Sequence, residues 1–322
     1  MPVILYGMSR TGVIVALLAA LIGVTSSAAS QATVRKRTHP KAHADSTKPR
    51  RVPATVPEIP PIATLPGALL PASRIIAYYG NPLSTGMGIL GELPPRQMLD
   101  KLAATAAGWA KADTTHVVRP ALHLIATVAQ GHKGGDGMYR TRHSDSTIAR
   151  VARWAEERNW LLFLDVQVGW SKVPAELPRL IPWLRKPWVH LALDPEFAMY
   201  DGRIPSRKMG TLDAKDVNYA IDLLAKIVDE EHLPPKVLVV HRFTEDMLTN
   251  YRRIKRDPRV QVVIDMDGNG RPSGKARIYD LVITRHPVQF TGFKLFYHLD
   301  HPMMTFAEVL ALRPSPLYIQ YQ

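Results

Sequence analysis

Eight short apolar segments alternate with helical segments from Arg74 to the end of the chain, and this repeat restricts the possible folds most. Strands that are covered on both faces are almost continuously hydrophobic, and parallel strands need crossover segments between them. Eight strand and helix units in about 250 residues predict an α/β fold, a (β/α)8 TIM-type barrel, with a doubly wound open sheet as the alternative. The eight predicted strands are residues 74–80, 121–128, 161–169, 189–197, 236–243, 260–268, 292–298 and 317–322.

The clearest crossover helix is predicted over residues 213–232. Val217 and Ile221 recur there at helical spacing, and Asp213 can cap the first turn. Residues 245–257 (EDMLTNYRRIKRD) are predicted as the helical crossover that follows the fifth strand.

Residues 1–30 have the pattern of a signal peptide. A basic start precedes an apolar run over residues 11–24, and small residues follow, so we expect cleavage near Ala29 or Ser30. The apolar run is shorter than the roughly 20 residues that a membrane span needs, so we predict no membrane span after cleavage. Retention as an uncleaved anchor is the alternative. The protein is therefore predicted to be secreted or extracytoplasmic, in the periplasm or the cell wall.

Residues 31–73 are rich in Pro and basic side chains and are predicted to form a disordered linker before the barrel domain at 74–322. The whole chain carries a net charge of +13, which favours anionic partners such as wall polymers. Aromatic residues are not interleaved with the basic ones, so no nucleic-acid partner is predicted. The chain has no Cys, which excludes disulfides and thiolate metal sites.

The fourth predicted strand ends in two carboxylates, Asp194 and Glu196. Ligands gather at the carboxyl ends of the strands in both candidate folds. Strand side chains alternate, so these two would share one face, with Cα atoms about 6.5 Å apart. Two ionised groups facing inward are costly unless they are paired or useful. The pair could act as acid and base or share a cation.

Two further strands end in acidic residues. Asp165 and Gln167 are predicted to lie on one face of the third strand, and Asp265 and Asp267 on one face of the sixth. These side chains could bind a ligand or tie down neighbouring loops. The predicted catalytic residues are Glu196, Asp194, Asp165 and Asp267.

Other polar and aromatic residues at the strand ends are predicted to bind substrate. Aromatic rings there can stack on sugars, although aromatic packing is the default for any one of them. Neighbours on a strand face opposite ways, so only one of His241 and Arg242 can point into the barrel. The predicted substrate-binding residues are Tyr78, Tyr79, Gln167, Trp170, His241, Arg242, Asp265, Lys294, Tyr297, Gln320 and Tyr321.

Two short motifs resemble those of family 25 lysozymes, which are secreted (β/α)8-barrel glycoside hydrolases. The motifs are Asp194-Pro195-Glu196 at the end of the fourth strand and Ile319-Gln320-Tyr321 near the end of the chain. The resemblance implies that Glu196 is the acid and that the substrate is the glycan of peptidoglycan. One departure is that this chain has Tyr78-Tyr79-Gly80 where that family opens its first strand with an Asp.

The leading hypothesis is an exported glycoside hydrolase that acts on a cell-envelope or environmental polysaccharide. Glu196 would protonate the leaving oxygen, and Asp194, Asp165 or Asp267 would supply the second carboxylate. One alternative is a divalent-metal-dependent hydrolase or isomerase that uses Asp165, Asp194, Glu196, His241 and Asp265. Another is a non-catalytic barrel that binds carbohydrate or cell wall. We predict no cofactor, no metal ion and a monomer.

Overall fold

The structure is a computed structural model, and it describes residues 61–322. The predicted signal peptide and residues 31–60 of the predicted linker lie outside the described residues. Within residues 61–322, no helix has the length and apolar character that crossing a membrane requires.

Eight parallel strands form a closed barrel. Each strand pairs with its neighbours in chain order, and β1 pairs with both β2 and β8, which closes the ring. The (β/α)8 prediction is confirmed, and the open sheet is excluded because it would leave β1 at an edge. Strands β1 to β8 are Ser73–Gly80, Val117–Ala129, Leu161–Val166, Val189–Leu193, Lys236–His241, Val260–Met266, Phe290–Leu295 and Tyr318–Tyr321.

Helices and turns cover the outside of the barrel. The longer helices are α1 (Pro95–Ala112), α2 (Asp145–Glu157), α3 (Ala214–Glu230) and α4 (Pro272–Tyr279). The short helical segments are Ile89–Glu92, Val173–Glu176, Ile181–Leu184 and Phe306–Leu310, with 3-10 turns at Pro178–Leu180, Pro195–Phe197, Glu245–Met247 and Tyr251–Arg253 and a π-helix at Asp280–Thr284. Arg140–Arg142 pairs with β2, and Leu212–Asp213 pairs with Leu248–Thr249.

The two predicted crossovers named above have different outcomes. Helix α3 forms as predicted, and Asp213 caps it in a reciprocal capping box with Asp216. The predicted helix at 245–257 is wrong, because two 3-10 turns and a two-residue strand form there. Leu248–Thr249 is extended and Asn250 has a φ of 53°, and neither conformation fits a continuous α-helix.

The barrel interior changes from apolar to polar along its axis. Because strand side chains alternate, Ala77 and Tyr79 face inward while Tyr78 faces the helices. The lower interior is mainly apolar, with Val237 and Val263 among its fully buried side chains, although Gln261 and His190 are also buried there. The upper interior, at the carboxyl ends of the strands, contains the acidic side chains and the imidazoles of His123 and His241.

The last residues of the predicted linker lie against the floor of the barrel. Leu70 is fully buried, and the backbone N–H groups of Leu69 and Leu70 both donate to Gln261 Oε1 at 3.1 Å. Gln261 Nε2 donates in return to the Leu70 carbonyl at 2.5 Å. Gln261 faces inward on β6, where a buried amide needs partners, and this segment supplies them. A cavity of about 230 Å³ lies beside it, and its lining contains no carboxylate.

Candidate active site

Three carboxylates converge at the open end of the barrel. Asp194 follows β4, Glu196 lies in the 3-10 turn after it, and Asp267 follows β6. One oxygen of each lies within 4.8 Å of the others. We expected strand alternation to bring Asp194 and Glu196 together, but β4 ends at Leu193 and a turn brings them together instead. Pro195 starts the turn, and the Glu196 backbone N–H donates to Asp194 Oδ1 at 3.1 Å, which folds the chain back.

Gln167 orients Asp194. Its Nε2 donates to Asp194 Oδ2 at 3.1 Å and to the Tyr79 hydroxyl at 3.2 Å. The Ala129 backbone N–H donates to Gln167 Oε1 at 3.0 Å, which fixes which end of the amide faces the carboxylate. Both oxygens of Asp194 therefore accept hydrogen bonds, and the structure brings Gln167 and Tyr79 into the site.

Burial and mutual repulsion favour the neutral forms of two cluster members. Burial raises the pKa of Glu196 above its usual range, and the charges of Asp194 and Asp267 raise it further. Burial also raises the pKa of Asp194, against the attraction of His241. Glu196 is half-buried, whereas Asp194 and Asp267 are buried, so within this cluster Glu196 is the most accessible acid.

A second group, His123, Asp165 and His241, lies deeper in the barrel. Asp165 Oδ2 is 3.5 Å from His123 Nε2 and 3.5 Å from His241 Nε2. On its other side, His241 Nδ1 faces Asp265 Oδ2 at 3.4 Å and Asp267 Oδ2 at 3.3 Å. His241 therefore links the deeper group to the carboxylate cluster.

The charges of the deeper group shift its pKa values in opposite directions. Burial acts to raise the pKa of Asp165, but His241 and His123 hold it well below its usual range. Burial acts to lower the pKa of His241, but Asp165 and the other carboxylates raise it well above its usual range. Burial lowers the pKa of His123 to about 4.

Lys294 places an ammonium group in the same interior. Its Nζ lies 3.8 Å from the centre of the Tyr79 ring, and the side chain is buried. The ammonium group acts against the raised pKa values of Asp194 and Glu196. Lys294 thus brings a positive charge close to the carboxylate cluster.

Asp265 and Gln320 support the deeper group and are fully buried. Gln320 Nε2 lies 3.1 Å from His123 Nδ1, and Asp265 faces His241. Burial raises the pKa of Asp265. These two predicted substrate-binding residues and Asp165 are therefore placed beneath the carboxylate cluster, where they contact other side chains.

Three predicted tyrosines lie outside the barrel interior. The Tyr78 hydroxyl bonds to Thr105 Oγ1 and to the Tyr297 hydroxyl, both at 2.8 Å. Tyr321 accepts a hydrogen bond from Trp109 Nε1 at 2.9 Å. Tyr78 and Tyr321 alternate away from the interior and pack in the layer between strands and helices, so the structure does not bring them to the site.

Arg242 and Trp170 shape the loops around the barrel opening. Arg242 faces away from the interior, opposite to His241, and donates to the Glu245 carbonyl at 3.1 Å. Trp170 packs against Tyr139 with ring centres 4.2 Å apart and donates to the Arg203 carbonyl at 2.7 Å. Both side chains hold backbone segments, and neither is placed beside the carboxylate cluster.

His123 and Tyr318 are two site residues that were not predicted from the sequence. His123 lies within the apolar run of β2, and its Nδ1 is 2.5 Å from the Tyr318 hydroxyl. The available signal was a polar side chain in the middle of a buried strand, at an inward position two residues after Ala121. Gly292 is a similar signal, because a side chain there would collide with Asp265.

Two groups among residues 61–322 have the spacing to hold a cation. Asp194, Glu196 and Asp267 offer three oxygens, which suit hard cations. His123, Asp165 and His241 offer two nitrogens and one oxygen, which suit zinc and related transition metals.

Comparison with known proteins identifies no family. No family model and no curated protein matches the chain. A solved ruminal GH26 endo-β-1,4-mannanase is similar at 12% identity over 78% of this chain and 59% of the mannanase, with a TM-score of 0.39. A noncanonic maltogenic α-amylase, AmyB from Thermotoga neapolitana, is similar at 12% identity over 71% of this chain and 60% of the amylase, with a TM-score of 0.30. The matches span about three fifths of each enzyme, and the barrel assignment rests on the strand pairing instead.

Proposed function

We propose that the chain is a retaining glycoside hydrolase in which Glu196 is the acid and base and Asp267 is the nucleophile. The observation that carries this proposal is the convergence of Asp194, Glu196 and Asp267 within 4.8 Å at the open end of the barrel. Two carboxyl groups with different protonation states are what glycosidic bond cleavage requires.

Glu196 has the environment of a general acid. Its raised pKa keeps it protonated near neutral pH, and its partial exposure lets it reach a leaving oxygen. It would protonate the glycosidic oxygen in the first step. It would then take a proton from the water that attacks the intermediate in the second step.

Asp267 has the better environment for a nucleophile. Its Oδ1 has no hydrogen-bond partner, whereas both oxygens of Asp194 accept hydrogen bonds. Asp267 Oδ2 faces His241 Nδ1 at 3.3 Å, which orients the free oxygen. Asp194 would then stay in place beside the reacting sugar and hold the turn that carries Glu196.

The spacing of the carboxylates favours retention of the anomeric configuration. Retaining enzymes hold the two working carboxyls about 5 to 5.5 Å apart, while inverting enzymes hold them about 6.5 to 9.5 Å apart to admit a water. One oxygen of Glu196 and one of Asp267 lie within 4.8 Å of each other, which is nearer to the retaining separation than to the inverting one.

The proposed substrate is a polysaccharide of the cell envelope, with peptidoglycan glycan as the first candidate. The resemblance of Asp194-Pro195-Glu196 to the acid motif of family 25 lysozymes supports this choice. The signal-like start of the sequence and its net charge of +13 support export toward an anionic envelope.

The test compares the activity of the Glu196→Gln variant on substrates with poor and with good leaving groups. We expect this variant to lose about 10²- to 10⁴-fold in kcat/KM on polysaccharide, where the leaving oxygen needs a proton. On aryl glycosides with acidic phenol leaving groups, we expect it to keep most of the activity in the first step. Reducing-end release and phenol release measure the two reactions.

Glu245→Gln is the matched control. Glu245 also follows a barrel strand, and its side chain is 55% exposed and separate from the cluster. We expect it to keep wild-type activity on both substrates. A Glu196→Gln enzyme that cleaves polysaccharide at the wild-type rate would overturn the proposed acid.

A further inference from the structure

Buried negative charge is concentrated in the upper barrel. Asp165, Asp194, Asp265 and Asp267 are at most 7% exposed, and Lys294 is a buried cation among them. If all four carboxylates were ionised and the imidazoles neutral, negative charge would exceed positive charge. Unpaired buried charge is costly, so further positive charge or protonation must be present.

The distances between the polar atoms of His123, Asp165 and His241 are longer than hydrogen bonds and fit a shared metal ion. Asp165 Oδ2 lies 3.5 Å from His123 Nε2 and 3.5 Å from His241 Nε2, which is too long for good hydrogen bonds. The same distance fits two ligand atoms on one tetrahedral ion, because bonds of about 2.1 Å put neighbouring ligands about 3.4 Å apart. All three atoms are buried and have no hydrogen-bond partner.

Hydrogen-bonding groups hold the outer side of two of these ligands. Asp165 Oδ1 accepts from the Val166 backbone N–H at 2.8 Å, which leaves Oδ2 free. His123 Nδ1 lies 2.5 Å from the Tyr318 hydroxyl, which leaves Nε2 free. Metal-binding side chains are oriented in this way, with one atom fixed by the protein and the other directed at the ion.

The third ligand has a carboxylate on its outer side. His241 Nδ1 faces Asp265 and Asp267, while Nε2 faces Asp165. A histidine that binds a metal usually directs its other ring N–H at a carboxylate or carbonyl group. Gly292 makes room for this carboxylate, because a Cβ there would lie 2.5 Å from Asp265 Oδ1.

We propose that His123, Asp165 and His241 bind one divalent transition-metal ion inside the barrel, beneath the carboxylate cluster. Two imidazoles and one carboxylate are a ligand set for zinc, and also for ferrous iron. The ion offsets the buried negative charge and fixes His241, whose other nitrogen faces Asp267. The site does not depend on the proposed glycosidase activity.

The competing state is a protonated His241 with no ion. In that state Nε2 carries a proton toward Asp165, and the imidazolium supplies the missing positive charge. The two states differ in metal content, so elemental analysis separates them without any substrate.

The experiment measures metal in the full-length protein. Cells are grown with zinc and iron supplied, the protein is dialysed against metal-free buffer, and both elements are quantified by mass spectrometry. We expect about one ion per chain in the wild type. We expect less than about a tenth of that in His123→Gln and Asp165→Asn, which each remove a ligand atom. Which element remains bound distinguishes zinc from iron.

His190→Gln is the matched control. His190 is also a buried histidine of the barrel interior, but its Nδ1 accepts a hydrogen bond from the Val237 backbone N–H at 3.2 Å. This variant should keep the wild-type metal content. Retention of the ion by Asp165→Asn would contradict the proposed site.

A second measurement uses only the wild type, so it remains informative if the variants do not fold. Wild-type protein stripped with a chelator is titrated with Co²⁺, and its visible bands are recorded together with its melting temperature. We expect the spectrum of tetrahedral Co²⁺ and a rise in Tm of about 5 °C or more. A folded wild type that holds no metal, shows no tetrahedral Co²⁺ spectrum and keeps its Tm would overturn the proposal, whatever its activity on glycans.

Discussion

Glu196 combines partial exposure with a strongly perturbed acidity. Burial is the largest cause, and the charges of Asp194 and Asp267 add to it. Its backbone N–H is held by Asp194, so the side chain that repels Glu196 electrostatically also fixes its position. A raised pKa at a convergent site is typical of functional carboxylates.

The raised pKa values of Asp194 and Glu196 predict how the free energy of unfolding depends on pH. Burial raises the pKa of Asp194 to about 7 and that of Glu196 to about 8. Unfolded carboxyls titrate near about 4, so folding favours the protonated forms. The stabilisation that the protonated carboxyls give the folded state is complete below about pH 4 and is lost as the pH rises through about 8. We therefore expect these two groups to lower the free energy of unfolding between pH 5 and pH 9.

Urea unfolding at both pH values checks this expectation. Asp194→Asn/Glu196→Gln cannot ionise at either position, so its stability should fall less than that of the wild type over the same range. Equal pH dependence in the wild type and the double variant would show that the two carboxyls do not have raised pKa values.

At the scale of the element, neighbouring residues at a strand end lie in two different layers, the barrel interior and the layer between strands and helices. Tyr79 and His241 face inward, whereas their neighbours Tyr78 and Arg242 pack against the helices and loops. The apolar runs identified the strand ends, but they did not identify which neighbour faces the interior. That choice depends on the register of each strand in the closed barrel.

The carboxylate ends of β3, β4 and β6 could be predicted because each acidic residue interrupts an apolar run. The role of His123 could not, because its partner Asp165 is on the next strand and becomes a neighbour only through pairing of β2 with β3. The turn at Pro195 brings Glu196 back to Asp194, and strand periodicity does not describe that turn.

Gly292 on β7 provides a test of the packing beneath the cluster. An alanine Cβ there would lie 2.5 Å from Asp265 Oδ1, so Asp265 would have to move. We expect Gly292→Ala to cost about 1 to 3 kcal/mol in the free energy of unfolding, as overpacking does. Denaturant unfolding measures this change.

Gly274→Ala is the control for Gly292→Ala. Gly274 lies within α4, and a Cβ there meets no atom within 4 Å. Alanine in a helix is more favourable than glycine by roughly 0.5 to 1 kcal/mol, so this variant should be slightly more stable than the wild type. Equal effects of the two substitutions would contradict the close approach of β7 to Asp265.

At the scale of the whole molecule, the barrel separates a closed floor from a polar opening. Leu70 and Gln261 close one end through mutual hydrogen bonds, while the carboxylate cluster lies at the other. Apolar side chains of the lower interior lie between the floor and the polar upper interior, and this low-dielectric surrounding strengthens the electrostatic interactions above it. This arrangement places the carboxylate cluster at the carboxyl ends of the strands, where the functional sites of other parallel barrels lie.

Glycan release is the measurement that tests the carboxylate cluster most directly. The full-length wild type and Asp194→Asn/Glu196→Gln are incubated with purified peptidoglycan and a panel of polysaccharides, and new reducing ends are quantified. We predict release from at least one polymer by the wild type and none above background by the double variant. Equal release by both proteins would place the chemistry elsewhere, and binding without release by the wild type would indicate a carbohydrate-binding barrel.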